Sequence, residues 1–474
     1  MKLPALRQKR IDQALGDAKL QTAIGSATQR LGQRRSETVA ADVLPEYQEL
    51  RQHAHDLKKH TLDHLDFYLE ELEQNVIARG GKVVWAEDAA EARDFVRNLA
   101  RDRGVTSIVK SKSMTSEEIH LNESLEKDGI EAVETDLGEY ILQLAGETPF
   151  HIIAPALHKT CEDVSGIFEQ SLHSAPQSTP EGLTAIARAV LREKFVNAGM
   201  GITGANFLVA DSGAVVIVEN EGNARLSSSA PRIQVAIAGI EKLIPRAQDL
   251  AVFLRLLGRS GTGQPLTVYT SFLSGPRRNG EPDGPEEFYL VLLDNGRSRL
   301  LADPEKRQSL YCIRCGACLN VCPVYRKIGG HSYPWVYSGP IGKILTPQFK
   351  GLHDDPWLPF ASSLCGACAE VCPVKIDIPG VLLKLRSEIV ETNAREGTDR
   401  AQRLAFRTFA WIMRHPKLYE KLSAGRALLG PGPIADLLAK GPLKAWFSQR
   451  ELPAPAKRSF RELWRERPQG RKQE

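Results

Sequence analysis

Cys312-Ile-Arg-Cys315-Gly-Ala-Cys318-Leu-Asn-Val-Cys322-Pro323 and, further along, Ser362-Ser-Leu-Cys365-Gly-Ala-Cys368-Ala-Glu-Val-Cys372-Pro373 are two copies of one pattern. The first copy reads C-x2-C-x2-C-x3-C-P, the spacing at which thiolates hold an iron-sulfur cubane. Three thiols at two-residue intervals lie along a loop that wraps one cluster. The small Gly316-Ala317 pair lets backbone N–H groups approach the inorganic sulfurs, and Pro323 redirects the chain so that the fourth cysteine serves a second cluster. Seven of the eight cysteines fall between Cys312 and Cys372, and only Cys161 lies elsewhere. Such clustering at fixed short spacing points to metal ligation rather than disulfides. Structural zinc is the alternative, but zinc sites need neither a third cysteine at two-residue spacing nor a Cys-Pro end.

The first run matches that of bacterial-type ferredoxins over its whole length. Aligning the two copies on their Cys-Pro ends puts Ser362 where the first has Cys312. Under the crossed ligation of two-cluster ferredoxins, one cluster takes Cys312, Cys315, Cys318 and Cys372, and the other takes Cys322, Cys365 and Cys368. Two 4Fe-4S clusters are expected. For the second, a 3Fe-4S cluster or a fourth ligand from Ser362, water or another chain stays open. Clusters held by cysteine alone exchange single electrons. No G-x-G-x-x-G falls between a strand and a helix, so two-electron chemistry is expected in another subunit, and no residue is assigned as catalytic.

Outward from the cysteines, the chain divides into four stretches. Residues 1–75 read as helical, with Leu57, Leu62, Leu65, Leu69 and Leu72 at three- and four-residue intervals, closed by Gly80-Gly81. Residues 76–303 alternate helical segments with short apolar runs at Val83-Val84-Trp85, Ile108-Val109, Ile152-Ile153-Ala154, Phe207-Leu208-Val209, residues 215–218, Thr267-Val268-Tyr269 and residues 289–293. That alternation predicts an α/β domain with a largely parallel sheet. Residues 304–385 carry the cysteines and lean on what those hold. Residues 386–474 return to helix, with Val381, Leu382, Leu385 and Ile389 on one face at the junction and Trp411-Ile412-Met413 beyond, and end in a basic tail (Lys457, Arg458, Arg461, Arg465, Arg467, Arg471, Lys472).

With 474 residues, 42% of them hydrophobic and 25% charged, the chain can bury large cores. A balance of 62 Lys+Arg against 58 Asp+Glu argues against nucleic acid as a partner. No apolar run is long enough for a transmembrane helix, and the first forty or so residues lack the apolar core of a secretory signal. A cytoplasmic chain is expected, with peripheral contact at the inner face of the membrane through the basic tail as the variant reading.

Gly201-Ile-Thr-Gly204-Ala-Asn206-Phe-Leu-Val-Ala-Asp211-Ser-Gly213, then residues 215–218 and Glu219-Asn-Glu221-Gly-Asn223-Ala-Arg225, complete the distinctive features. Together with the paired cysteine runs and the helical C-terminus, they resemble the lactate-utilisation iron-sulfur family (LutB/YkgF) over essentially the full chain. The resemblance implies a LUD domain of NagB/RpiA/CoA-transferase-like fold, followed by a ferredoxin-type iron-sulfur domain and a helical C-terminal region. It implies a component of a system oxidising L-lactate to pyruvate. The partners implied are the other subunits of that complex and a downstream acceptor, either a quinone or a soluble carrier. Fold kinship confers no transferase activity. The alternative is a catalytic subunit binding a 2-hydroxy acid through Glu219, Glu221, Asn223 and Arg225; a third reading makes the clusters structural or regulatory. Gly201, Gly204 and Gly213 permit tight turns or close backbone approach. His158-Lys159 is a candidate anion contact and His60/His64, with His53, a candidate metal pair, though a solvated face is the plainer reading of each. Cys161 reads as a buried or inert thiol.

Overall fold

The structure, a computed structural model, describes residues 4–398, 400–424, 441, 456 and 458–466. It divides into a unit of Met1–Ile389 and a unit of Val390–Glu474.

The first unit opens with helices Ala5–Gly16, Ala18–Thr38, Tyr47–Asp63 and Leu65–Ala78. Leu62, Leu65, Leu69, Leu72 and Val76 are buried along one stripe, and Gly80, at φ +86°, turns the chain out of the last helix. The first three of these helices reach the cysteine segment far along the chain. The buried Arg51 donates through Nε to the Cys372 carbonyl (2.9 Å) and through Nη2 to the Ala369 carbonyl (3.2 Å).

Ten strands follow: β1 (Lys82–Ala86), β2 (Ser107–Lys110), β3 (Glu131–Glu134), β4 (Met200–Thr203), β5 (Phe207–Val209), β6 (Ala214–Glu219), β7 (Ile233–Gly239), β8 (Leu243–Ile244), β9 (Tyr269–Leu273) and β10 (Glu287–Leu293). Six of them form a sheet in the order β1-β10-β7-β4-β2-β3, with every neighbouring pair parallel. All seven residues of β7 are buried, as a central strand covered on both faces requires. Alternation along it and β10 splits the core. Ala236, Ala238, Leu290 and Leu292 join the core shared with the cysteine segment; Val235, Ile237, Val291 and Leu293 face the opposite layer.

Two expectations are corrected. Ile152-Ile153-Ala154 is not a strand but a bent segment, in which the Ile153 N–H donates to His151 Nδ1 (3.2 Å). Its isoleucines are apolar because they cover the first cysteine loop. The runs at 207–209 and 215–218 are strands but stand outside the parallel sheet, in a four-stranded sheet ordered β8-β5-β6-β9. The link at residues 210–213, turning at Gly213 (φ +65°), is far too short for a parallel crossover, so β5 and β6 pair antiparallel. Gly201 meets its expectation of close approach: a Cβ there would lie 1.7 Å from the Ser227 carbonyl oxygen, so only glycine lets β4 pass the helix Asn223–Ser229.

The cysteine segment is built of short helices, Ala317–Val321 and Ala367–Glu370 among them, with the longer helix Gly339–Lys350 between the two runs. Val381, Leu382, Leu385 and Ile389 are buried on the face foreseen for them. In the second unit, helices Arg400–Met413, Pro416–Ala424 and Phe460–Glu466 are described, and Arg461 and Arg465 pair with Glu420. Of the basic tail, Lys457, Arg467, Arg471 and Lys472 lie outside the described residues.

Candidate functional site

The two cysteine loops repeat in backbone as well as in sequence. Arg314 and Gly316 have φ +60° and +73°; their counterparts Leu364 and Gly366 have φ +54° and +82°. This alternation around each central cysteine curls the loop and turns successive N–H groups inward, making a concave nest suited to anionic sulfur. Gly316 and Gly366 take the left-handed conformation freely; Arg314 and Leu364 hold it at a steric cost.

The fold gathers the sulfurs into two sets. Cys312, Cys315, Cys318 and Cys372 face one small cavity, walled by Ile152, Ile341 and Ile376. Cys322, Cys365, Cys368 and Ser362 face a second, between Pro323 and Pro340. The last cysteine of each run thus sits with the other run's loop. Backbone N–H groups donate to sulfur at Cys312 (from Arg314), Cys322 (from Tyr325) and Cys372 (from Ile376), each at 3.4 Å. In the second loop the Leu364 N–H donates to Ser362 Oγ at 3.2 Å, so the serine oxygen stands in the place of the Cys312 sulfur.

Cys315, Cys318, Cys322, Cys368 and Cys372 are buried, while Cys365 is exposed. Burial, with Cys322 adding, pushes the Cys368 thiol up to about 11. Burial, with Cys312 adding, does the same for Cys372, and Cys315 and Cys318 are pushed higher still. At Cys365 the Ala367 N–H holds the thiol below its ordinary value. Buried thiols this close to one another keep their protons unless cations among them pay for ionisation, which is what iron supplies. The donor set therefore fits iron-sulfur clusters. A buried lysine, Lys343, donates to Cys322 Sγ at 3.6 Å; burial lowers its pKa while the cysteines oppose the fall. Sequence reasoning passed over this residue, which lies outside both runs.

A larger cavity of about 240 Å³ opens past the carboxyl ends of β2, β3, β4 and β7 and reaches the first cysteine loop at Arg314 and Cys315. In the parallel sheet β2 continues to β3 on one side and β4 to β7 on the other, so this is the crevice where open α/β sheets place ligands. Glu219, Glu221 and Asn223 line it; Arg225 does not and is exposed. Both Glu219 oxygens accept backbone N–H groups, of Ala224 and Arg225 at 2.8 Å each, so this carboxylate caps a helix. Gly199-Met-Gly201-Ile-Thr-Gly204 does spell G-x-G-x-x-G, but it runs through β4, after a helix and before another strand, and forms no nucleotide loop.

Arg314 joins the loop to the sheet. Its Nη2 donates to Glu241 Oε1 (3.1 Å), while Arg297 donates through Nε to Glu241 Oε2 (2.5 Å) and through Nη1 and Nη2 to the Glu118 oxygens (2.9 Å each). Burial pushes the Glu241 carboxyl up, but Arg297 and Arg314 prevail and hold it at about 2. The sequence held one signal for this: arginine at 314 where the second copy has leucine.

Elsewhere, His158 and Lys159 both bind Glu147, with His158 Nε2 2.8 Å from its carboxylate, so this pair is a half-buried hydrogen-bonded cluster beside His331 rather than a solvated one. His60 contacts the Tyr68 hydroxyl at 2.9 Å and stacks obliquely on His64, while His53 is exposed. Cys161 is exposed, not buried, because it begins the helix Cys161–Leu172 at the surface. Among the described residues, no helix is long and apolar enough to cross a membrane.

The LUD domain family matches residues 69–293, the 4Fe-4S dicluster domain residues 308–376, and the family "Lactate utilisation protein B, C-terminal" residues 384–469. Lactate utilization protein B of Bacillus subtilis (strain 168) is 46% identical over 464 residues, covering 97% of this chain and 96% of that one. The protein of the same name from Geobacillus sp. (strain WCH70) is 46% identical over 467 residues, covering 98% and 97%. Among solved structures, a DUF162 family protein from Deinococcus radiodurans covers 48% of this chain and 98% of its own, at 11% identity and a TM-score of 0.27. With an α/β LUD domain, a 4Fe-4S dicluster segment and relatives near half identity along almost its whole length, the chain belongs to the lactate utilization protein B family.

Proposed function

We propose that this chain is the electron-transfer component of a system that oxidises L-lactate to pyruvate, and that it carries two 4Fe-4S clusters. Cys312, Cys315, Cys318 and Cys372 hold the first; Cys322, Cys365 and Cys368 hold the second, with Ser362 at the fourth position. The observation that carries the reading is the crossed grouping of these side chains around two neighbouring cavities, which suits a wire better than an isolated centre. Clusters bound there supply one-electron exchange. The protein's own part is to exclude water with Ile152, Ile341 and Ile376, to donate backbone N–H groups to the sulfurs, and to set Lys343 against Cys322. Other subunits of the complex deliver the electrons, and a quinone or a soluble carrier removes them.

Anaerobic purification with its native partners, followed by electron paramagnetic resonance with and without L-lactate, tests this. Iron and acid-labile sulfide are expected, with cluster signals that respond to lactate only when the partners are present. Material free of iron and sulfide defeats the proposal. Lactate-dependent reduction of the isolated chain transfers the chemistry to the LUD domain itself.

A further inference from the structure

The cavity beside the first cysteine loop has a charge distribution that the relay reading leaves unused. Three cations converge on it, Lys112 after β2, Lys242 after β7 and Arg314 in the cysteine loop. Neither lysine ammonium has a carboxylate within ion-pair distance among the described residues. Arg314, 7% exposed, borders both this cavity and the cavity of the first cysteine set; one terminal nitrogen is spent on Glu241, while Nη1 is buried with no hydrogen-bond partner. A buried guanidinium nitrogen is seldom left in this state, because the lost solvation is not returned.

Each acid that shares the cavity turns at least one oxygen to backbone N–H groups. Glu219 caps the helix after β6 with both oxygens, Asp136 Oδ1 accepts the N–H groups of Gly138 (3.0 Å) and Glu139 (3.2 Å), and Glu221 accepts the Leu137 N–H at 3.3 Å. These carboxylates keep their charge, but the Lys112 and Lys242 ammonium groups have no hydrogen-bond partner among the described residues, so they are the donors the cavity offers to an incoming anion. Burial, with Arg314 adding, also brings Lys242 down to about 8, a cost that a bound anion relieves. The opposite wall is apolar, with Ile153, Ile217 and Leu257, and gives a bare inorganic ion nothing to pack against.

We propose that this cavity binds a short-chain organic carboxylate, its charge received by Lys112, Lys242 and Arg314 and its hydrocarbon part resting on the isoleucine–leucine wall beside Cys315. The site stands apart from the relay reading, because it requires the cations and not electron flow.

Isothermal titration calorimetry on the full chain, with its clusters reconstituted anaerobically, tests the proposal with L-lactate as the probe and inorganic phosphate as the control. Saturable lactate binding in the millimolar range is expected, weakened about tenfold or more in Lys112→Gln and in Lys242→Gln. The visible absorbance of the clusters reports whether each variant is folded; Lys112, only partly buried, serves if the Lys242 variant is not. Absence of lactate binding, binding unchanged in Lys112→Gln, or phosphate binding as tightly as lactate each overturns the proposal. Since the readout is affinity alone, its failure leaves the paramagnetic test of the relay untouched.

Discussion

Replacing Ser362 by cysteine gives the sharpest test of how the second site is built. Ser362 Oγ accepts the Leu364 N–H at 3.2 Å, as Cys312 Sγ accepts the Arg314 N–H at 3.4 Å, so the new sulfur enters a position the backbone has already shaped. The change adds a thiolate, and with it one negative charge, beside the second cluster. Ser362 is half-buried and its neighbour Cys365 exposed, which puts the effective dielectric constant between the surface and bulk-water limits. At about 4 Å the added charge then disfavours reduction by about 1 to 4 kcal/mol. For a one-electron couple this is a fall of about 45 to 180 mV in midpoint potential. Potentiometric titration followed by electron paramagnetic resonance, with iron analysis, reads both consequences. One of two cluster signals moves to lower potential and the other stays, and a parent with a three-iron second cluster gains an iron. If both signals and the iron content stay put, position 362 does not face a cluster. If both signals move equally, the two sites are not separate.

Three further outcomes follow from the geometry. Lys343→Met removes the cation 3.6 Å from Cys322 Sγ; the second cluster's potential falls, and the first, which Lys343 meets more weakly through Cys318, falls less, which the same titration checks. Glu241→Gln leaves the buried Arg297 and Arg314 without their shared carboxylate and costs about 3–5 kcal/mol, measured as a lower urea midpoint. Burial, with Lys112 adding, brings His151 down to about 3, and its Nδ1 accepts the Ile153 N–H. As pH falls from about 6.5 towards 3 the unfolded chain therefore takes up a proton that the folded chain refuses, and stability drops by about 1.4 kcal/mol per pH unit from this group. Urea midpoints at pH 7 and pH 5 show a shallower dependence in His151→Gln than in the parent; an identical dependence removes His151 from the account.

The cysteine pattern made the iron-sulfur segment readable because the spacing that wraps a cluster is local in sequence. The parallel sheet was readable from alternation, yet β3 and β4 went unassigned, because Glu131, Glu134 and Gly201 break the apolar runs that mark buried strands, and β7 was missed although its residues 235–238 form such a run. Ile152-Ile153 misled in the opposite direction, since an apolar run looks the same whether it pairs as a strand or covers a loop. Of the residues expected in the crevice, Glu219, Glu221 and Asn223 reach it. Lys112, Lys242 and Arg314 were not foreseen, because they come together from a strand end, a second strand end and a cysteine loop, and no local pattern links such positions.

The grip of Arg51 on the Cys372 carbonyl has a bearing on biosynthesis. The two residues are 321 positions apart, so at about 5–20 residues per second Arg51 waits about 16 to 64 s after its synthesis before the carbonyl it holds has been made. The face of the helix Tyr47–Asp63 around Arg51 stays open to water through that interval, and holdase chaperones have that long to bind it before the last cysteine emerges.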